Sequence, residues 1–249
     1  MSRFYVSPKS ISSTEIIITG QEAVHVGRVL RKKAGHRIEV FDGRGRKYKA
    51  IIKEATRKRI IAEIIDSPRV EPEPGVRVHL FQGMTKGFKF EFVLQKGTEI
   101  GVSRFTPILT ERTVIKPPSG MEKRLSRWQR IVREACKQSG RGKIPRVDGF
   151  LLFKQALSGL RPGGINIILW EKERATTLKS LLKEHKEEIL GVKDKRVGIF
   201  IGPEGGFTQK EVSLAREKGV IPATLGHRIL RAETAALVVV SLILYEWEA

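Results

Sequence analysis

Cysteine is almost absent from this sequence of 249 residues, in which Cys136 is the single example. One cysteine excludes a scaffold held together by disulfide bonds and a zinc site made of thiolates. The five histidines are scattered along the chain, and no two of them have the spacing of metal ligands. The sequence therefore predicts no metal site.

Long hydrophobic runs are also missing. The longest one extends from Ala235 to Tyr245 and is interrupted by Ser241, whereas a membrane-spanning helix needs about 20 apolar residues. No secretory leader is recognisable in the first residues, which lead directly into a strand-like pattern. Because 40% of the residues are hydrophobic, the chain can form packed cores. We expect a soluble, cytoplasmic, globular protein.

Acidic residues are few relative to basic ones. The chain has 47 Lys and Arg but 27 Asp and Glu, which gives a formal net charge of +20. Adaptation to high temperature adds acids as well as bases, so it does not account for this imbalance. A positive excess of this size favours a polyanionic partner, most often a nucleic acid.

The sequence divides at residues 71–75, where two prolines and a glycine interrupt regular structure. Before this segment, short β-like runs predict a small barrel-like β domain over residues 1–72. The predicted strands of this domain are Arg3–Val6, Glu15–Thr19, Arg37–Phe41, Tyr48–Lys53 and Ile60–Ile65.

After the boundary, buried strand patterns alternate with long helical ones. This alternation predicts an α/β domain over residues 73–249, with a parallel sheet covered by helices on both faces. The predicted strands are Val76–Gln82, Phe105–Thr110, Ile165–Trp170, Arg196–Ile201 and Ala223–Leu225. The predicted helices are Lys86–Ile100, Met121–Ser139, Lys179–Leu190, Gln209–Lys218 and Thr234–Trp247.

Half of the net positive charge lies in residues 82–146, which contain 15 basic and 5 acidic side chains. Within this region, basic residues recur at helical spacing on the face opposite the apolar side chains. They are Lys123, Arg127, Arg130, Lys137 and Arg141. Two interpretations stay open for this stripe, a solvated helix face and a surface that contacts RNA.

Two glycine-marked segments follow predicted strands. The first, Ile199–Thr208, passes from an apolar strand through a glycine-rich turn that starts at Gly202 into a capped helix. The second, Leu225–Ala235, brings Arg228, Arg231 and Glu233 to the start of a largely apolar helix, where charges must pair, cap the helix or meet a ligand. Neither segment ends as a P-loop does, and Gly-x-Gly-x-x-Gly is absent from the chain. Each is either a tight turn or part of a binding site.

Seven motifs occur in order along nearly the whole chain. They are Arg28-Val29-Leu30-Arg31, Phe41-Asp42-Gly43-x-Gly45, Gln95-Lys96-x-Thr98-Glu99-x-Gly101-Val102, Glu111-Arg112, Gln138-Ser139-Gly140-Arg141, Gly202-Pro203-Glu204-Gly205-Gly206 and Leu225-Gly226-x-Arg228-Ile229-Leu230-Arg231-x-Glu233-Thr234-Ala235. Together they resemble the RsmE family, the 16S ribosomal RNA uridine N3-methyltransferases of the SPOUT superfamily. An acidic residue often precedes the Gln-Ser-Gly-Arg motif in that family, whereas Lys137 stands there in this chain.

The resemblance implies a fold, a cofactor and a substrate. The N-terminal domain would be PUA-like and would bind RNA, and the C-terminal domain would be an α/β fold with a deep trefoil knot. The cofactor would be S-adenosylmethionine, the enzyme a homodimer, and the target one uridine of 16S ribosomal RNA in the small ribosomal subunit. The apolar helix that contains Ala235–Tyr245 would supply the dimer interface, although burial in its own core explains its composition equally well.

The resemblance also places the cofactor at the ends of three strands, where open α/β sheets bind ligands. Leu225, Ile229 and Leu230 would pack on the adenine ring. The full predicted set of cofactor-binding residues is Leu169, Trp170, Glu171, Ile201, Gly202, Pro203, Glu204, Gly205, Leu225, Gly226, Ile229, Leu230, Arg231, Thr234 and Ala235.

N3 of uridine carries a proton, so its methylation needs a residue that removes this proton or one that stabilises the developing negative charge. The predicted catalytic residues are therefore charged. Arg231 is the first candidate and Arg141 the second for stabilising negative charge on the uridine oxygens. Glu233 or Glu204 would accept the proton. Phosphate contacts are predicted for Arg28, Arg31, Lys32, Lys33, Arg127, Arg130, Lys137 and Arg141. Cys136 is interpreted as a packing residue.

Other interpretations stay open. A non-catalytic RNA-binding or ribosome-assembly protein would explain the charge but not two glycine-marked segments at strand ends. A related methyltransferase with another RNA target would have the same cofactor loops. An interaction protein would use the apolar C-terminal helix.

Overall fold

The strands of this protein form two separate sheets. The computed structural model describes residues 3–66, 69–70, 73–114 and 120–248. The chain folds into two units, one formed by Met1–Glu73 and Arg133–Ile144, the other by Pro74–Val132 and Pro145–Ala249. Glu71 and Pro72, where the predicted boundary begins, lie outside the described residues.

The sheet of the first unit contains six strands: β1 (Arg3–Tyr5), β2 (Glu15–Thr19), β3 (Arg37–Phe41), β4 (Arg46–Ala55), β5 (Arg59–Ile64) and β6 (Arg69–Val70). They pair in the order β1-β3-β4-β5-β2, with β6 beside β4, and every pair except β1 with β3 is antiparallel. Every second residue is buried, such as Ile16 and Ile18 in β2, which is the period of a strand with one covered face. Helix α1 (Gly20–Val24) continues into a π-helical turn (His25–Val29).

The sheet of the second unit is entirely parallel. Its strands are β7 (Arg77–Gly83), β8 (Arg104–Leu109), β9 (Arg146–Val147), β10 (Leu151–Leu152), β11 (Ile165–Leu169), β12 (Arg196–Ile201) and β13 (Ile221–Ala223). The order is β10-β8-β7-β12-β11-β13, with β9 beside β8. The last strand begins two residues before the predicted Ala223–Leu225 and contains Pro222. Pro222 is tolerated because β13 lies at the edge of the sheet, where one side needs no amide donor.

The helices that follow are α2 (Lys89–Ile100), α3 (Met121–Ser139), α4 (Phe153–Ser158), α5 (Leu178–Glu184), α6 (Lys186–Gly191), α7 (Gln209–Glu217) and α8 (Ala232–Trp247). The single helix predicted at Lys179–Leu190 is two helices, because His185 adopts a non-helical conformation between them. Helix α4 was not predicted.

Helices cover both faces of the parallel sheet, as the sequence predicts. Phe153 of α4 and Val212 of α7 pack with Phe81 and Phe200 on one face. Helix α8 packs against α2, α5, α6, β7 and β12. Its buried side includes Trp247, whose Nε1 donates to the Leu182 carbonyl oxygen at 2.9 Å. The apolar composition of α8 is thus accounted for largely by the core of its own unit. No helix within the described ranges is long and apolar enough to span a membrane.

A polar network in the second unit contains a histidine that stays neutral. Nε2 of His79 lies 2.7 Å from Oγ1 of Thr106, which in turn donates to Oδ2 of Asp148 at 2.5 Å. Asp148 also accepts a hydrogen bond from Nε of Arg104. Burial, and secondarily the charge of Arg104, lower the pKa of His79 to about 3.

We predict that the free energy of unfolding decreases as the pH is lowered from 6.5 to 4.5, because of His79. The unfolded chain binds a proton at this residue near pH 6.5, whereas the folded protein excludes it down to about pH 3, so each pH unit in this window costs up to about 1.4 kcal/mol. His79→Gln keeps a donor to Thr106 and should remove this part of the slope in urea titrations. Burial acts to raise the pKa of Asp148, but the hydrogen bonds from Arg104 and Thr106 bring it below its ordinary value of 3.8, so its contribution to folding stability is lost only below about pH 3.8. Parallel slopes in both proteins would contradict the assignment.

Candidate functional site

A cavity of about 800 Å³ lies at the carboxyl ends of β11, β12 and β13 in the second unit. Its walls come from the segments that follow these strands, together with Lys89 at the start of α2. This volume lies within the range of roughly 300–1,000 Å³ of small-molecule sites. The ends of parallel strands are where such sheets bind ligands, so this cavity is the candidate site.

The glycine segment after β12 is shaped by backbone packing. A Cβ atom on Gly83, at the end of β7, would lie 2.4 Å from the Pro203 nitrogen, and a Cβ on Gly202 would lie 3.0 Å from Gly206. Gly206 itself has φ +67°, a conformation that glycine adopts without strain. Nη1 of Arg112 donates to the Gly205 carbonyl oxygen at 2.8 Å. The segment is therefore both a tight turn and a wall of the cavity.

The same segment ends in a capped helix, as the sequence predicts. Oγ1 of Thr208 accepts a hydrogen bond from the backbone N–H of Glu211 at 3.2 Å, and Oε2 of Glu211 accepts one from the backbone N–H of Thr208 at 2.9 Å. The other carboxylate oxygen of Glu211 accepts a hydrogen bond from the backbone N–H of Glu111 at 2.9 Å. This capping box fixes where the turn stops and α7 begins.

A buried carboxylate organises the segment after β11. Oε1 of Glu173 accepts hydrogen bonds from the backbone N–H groups of Arg174 and Ala175, both at 2.9 Å. Its other oxygen accepts one from Nη2 of Arg216 in α7 at 2.7 Å. Burial opposes ionisation, but these donors outweigh it and hold the pKa of Glu173 below its ordinary value. Glu173 therefore fixes the loop that presents Glu171 and Arg174 to the cavity.

A second ion pair attaches the glycine segment to α2. Oε1 of Glu204 accepts hydrogen bonds from Nζ of Lys89 at 2.9 Å and from the backbone N–H of Lys86 at 3.1 Å. Burial acts to raise the pKa of Glu204, but the bond from Lys89 and the backbone donors bring it below its ordinary value. Glu204 is thus an ionised, paired carboxylate.

The segment between β13 and α8 contributes charged side chains to the cavity. Oγ1 of Thr224 bonds the backbone of Gly226, whose φ is +109°, and so folds the start of the segment. Arg231 is exposed and precedes the first residue of α8. Glu233 is partly buried, and its Oε2 has no hydrogen-bond partner among the described residues. A buried acceptor without a donor is costly unless a ligand supplies one.

Most of the predicted cofactor residues meet at this cavity. Those that line it are Leu169, Trp170, Glu171, Ile201, Gly202, Pro203, Glu204, Gly205, Leu225, Gly226, Ile229, Leu230, Arg231 and Ala235, joined by Glu233 from the catalytic set. Thr234 is exposed on α8 and is not among the lining residues.

Several residues that line the cavity are absent from the predicted cofactor-binding set. They are Lys89, Arg174, Gly206, Ala223, Thr224, His227, Arg228 and Ala232. Gly206, His227 and Arg228 belong to the two glycine-marked segments, so the pattern contained a signal for them. Lys89 reaches the cavity from a distant helix, and no local pattern indicates that.

Arg141, the second catalytic candidate, lies in the first unit. Its Nη2 and Nε donate to Oε2 of Glu73 at 2.6 and 3.2 Å, and its side chain is buried. Oε1 of the same glutamate accepts a hydrogen bond from the backbone N–H of Lys143 at 2.9 Å. This network shapes the loop at residues 140–143.

The predicted phosphate contacts fall into two groups. Lys137 is paired with Glu22 at 3.0 Å, and Arg127 with Glu91 at 2.7 Å. Arg28, Arg31, Lys33 and Arg130 are exposed, and Lys32 is half-buried. Cys136 is buried, and burial raises the pKa of its thiol to about 12, as suits a packing residue. Among the described residues, no group of three or more potential ligands is arranged to hold a metal ion.

Comparison with known proteins identifies the family. The family model for the RNA methyltransferase domain matches residues 71–244, and the model for the RNA methyltransferase PUA domain matches residues 18–65. This chain belongs to that family of RNA methyltransferases. The resemblance and the fold class predicted from the sequence are confirmed, while the knot stays a prediction.

Two relatives of this chain carry the same name. Ribosomal RNA small subunit methyltransferase E of Synechocystis is 33% identical over 95% of this chain and 75% of its own length. The Bacillus subtilis protein of the same name is 31% identical over 93% of this chain and 90% of its own. A crystal structure of ribosomal RNA small subunit methyltransferase E from Neisseria gonorrhoeae, bound to S-adenosyl methionine, is also similar to this chain. Its TM-score is 0.88 at 32% identity, over 99% of this chain and 98% of the Neisseria chain.

We predict that Glu173→Ala lowers the free energy of unfolding of this methyltransferase by about 2 kcal/mol, because two backbone amides and Arg216 lose a charged acceptor. Glu171→Ala is the matched control, since this exposed carboxylate belongs to the same loop, and it should cost less than about 0.5 kcal/mol. Urea unfolding monitored by tryptophan fluorescence measures both values. Equal losses would show that Glu173 has no special role.

Proposed function

We propose that this protein is an S-adenosylmethionine-dependent methyltransferase that methylates N3 of one uridine in 16S ribosomal RNA of the small ribosomal subunit. The observation that carries this proposal is the cavity, which three strand-end segments build within the part of the chain that matches the RNA methyltransferase domain. A non-catalytic RNA-binding protein would need no such cavity.

The residues of the cavity fit the proposed cofactor. Leu225, Ile229 and Leu230 offer an apolar surface for adenine, and the unpartnered Oε2 of Glu233 offers an acceptor to a polar ligand group. S-adenosylmethionine supplies an activated methyl group when it is bound. The protein therefore needs chiefly to position the acceptor nitrogen, and orientation accounts for much of the rate enhancement in such reactions.

In this proposal Glu233 accepts the proton of uridine N3, and Arg231 stabilises the negative charge that develops on O2 or O4. Both side chains line the same cavity, and Arg231 is exposed at its edge. Glu204 is held ionised by Lys89, so its role in this proposal is to position the glycine segment. Arg141, paired with Glu73, shapes its own loop in the first unit.

RNA binding is assigned to both domains, residues 1–72 as the PUA-like domain and residues 73–249 as the methyltransferase domain. The exposed cations Arg28, Arg31, Lys33 and Arg130 are the proposed phosphate contacts. Each true contact contributes about 0.7–0.9 to the salt dependence of binding. The proposal includes a trefoil knot, a cytoplasmic location and a homodimer that uses the exposed Leu242 and Tyr245 of α8.

The decisive experiment is methyl transfer from labelled S-adenosylmethionine to unmodified small ribosomal subunits, with the product nucleoside identified by mass spectrometry. We expect 3-methyluridine at one site, and Arg231→Ala should abolish transfer while the thermal unfolding midpoint is unchanged. Label on another atom or in another RNA would refute the assigned target. Near-normal turnover by Arg231→Ala would refute the role of Arg231.

We also predict that Lys89→Met raises the dissociation constant for S-adenosylmethionine by at most about fivefold, since the half-exposed pair that positions Glu204 is worth at most about 1 kcal/mol. Lys89→Arg should restore most of the affinity. The matched control is Lys86→Met, because Lys86 contacts Glu204 through its backbone and not its side chain. Calorimetric titration measures all four proteins, and equal weakening by both methionine variants would contradict the positioning role of Lys89.

A further inference from the structure

The first unit exposes apolar side chains on one short segment. Val24, Val29 and Leu30 are 43%, 65% and 38% exposed, whereas Ala23 and Val26 of the same segment are completely buried. Single exposed apolar residues are common on protein surfaces, but three within seven residues are a local concentration that a partner would cover, and they are called the patch below.

The backbone of this segment holds the patch in an uncommon conformation. The N–H of Leu30 bonds the carbonyl oxygen of His25 at 3.0 Å, which closes a turn with one residue more than an α-helical turn. Such π-helical turns are rare in proteins, and those that occur are often found at functional sites. Arg31 follows with φ +50°, which is unfavourable for a residue other than glycine. Val29 and Leu30 are thus presented by a strained turn rather than by a flexible tail.

The charge around the patch selects the kind of partner. Arg28, Arg31, Lys32 and Lys33 flank Val29 and Leu30, and the sequence has no acid between Glu22 and Glu39. Arg28 and Arg31 form no ion pair with any residue that the structure describes. A second copy of the chain would present the same positive charge at this patch, whereas a polyanion complements it.

We propose that Val29 and Leu30 form an apolar wedge that inserts against the bases of ribosomal RNA while the neighbouring cations hold the phosphates. This proposal rests on the proposed function, because a base that is methylated at N3 must leave its stack and its pair to reach the cofactor site. Proteins that unstack nucleic acids commonly insert apolar side chains beside basic ones. The wedge would help to distort the RNA, and Arg28 and Arg31 would fix its register.

The test uses the full-length protein and unmodified small ribosomal subunits. Val29→Ser combined with Leu30→Ser should weaken binding about tenfold, because the variant loses its apolar contact with the bases, while the salt dependence of binding stays the same because no cation is removed. Subunits bound to this double variant should lack the changes in base reactivity towards dimethyl sulfate that the wild-type protein induces. Arg28→Gln combined with Arg31→Gln should instead reduce the salt dependence by about 0.7–0.9 for each phosphate that the variant no longer neutralises.

Two controls separate the wedge from general effects. Ile65→Ser removes an apolar side chain of the same unit that is 42% exposed, with acidic neighbours at Glu63 and Asp66, and it should leave binding unchanged. Val29→Phe enlarges the apolar surface at an exposed position and should keep or improve binding. Affinity for S-adenosylmethionine should be the same in every variant.

The outcomes distinguish this proposal from the proposed function. If the double serine variant binds, modifies the base reactivities and methylates as the wild type does, the wedge is wrong and the methyltransferase assignment stands. If it instead changes the sedimentation coefficient without RNA, the patch is an interface between copies and the wedge is also wrong. If the wild-type protein neither binds nor methylates the subunits, the proposed function fails together with the wedge.

Discussion

The candidate site depends on a contact between two backbones. Strands β7 and β12 are neighbours in the parallel sheet, and their carboxyl ends approach so closely that Gly83 has no room for a Cβ atom beside Pro203. This contact holds the glycine segment over the end of the sheet. The same segment places Gly206 beside the Glu171 carboxylate of the next loop, where a Cβ would lie 2.9 Å from Oε2. Side-chain volume at either glycine would move both walls of the cavity.

Patterns along the sequence predicted the elements and not their partners. Apolar periodicity located β7, β11 and β12 because each is a short buried run, and glycine and capping residues located the turns. Pairs that join distant segments, such as Glu173 with Arg216 and Lys89 with Glu204, leave no periodic signal. The predicted last strand also starts two residues after β13 does, and β13 contains Pro222 at a sheet edge, where tertiary context tolerates it.

The net charge likewise predicted the kind of partner but not which basic residues are available to bind it. An excess of basic residues predicted a nucleic-acid partner, in agreement with a family of RNA methyltransferases. It did not separate cations that neutralise carboxylates from cations that face solvent. Lys137 pairs with Glu22, so the lysine at this family position is compensated by an acid elsewhere in the same unit. A count of charges cannot contain that information, because it depends on which surfaces the fold brings together.

Two carboxylates in one cavity are suited to different tasks by their surroundings. Glu204 accepts a hydrogen bond from an ammonium group and another from a backbone amide, and both favour its ionised form. A carboxylate held in this way retains a proton poorly and resists movement, which suits a residue that positions a loop. Glu233 has a buried oxygen that no described residue satisfies, so a hydrogen-bond donor from a ligand at that oxygen removes a desolvation penalty. This difference in environment is the physical argument for the proposal that Glu233, and not Glu204, accepts the proton, in the way that paired carboxylates in one site commonly divide their roles.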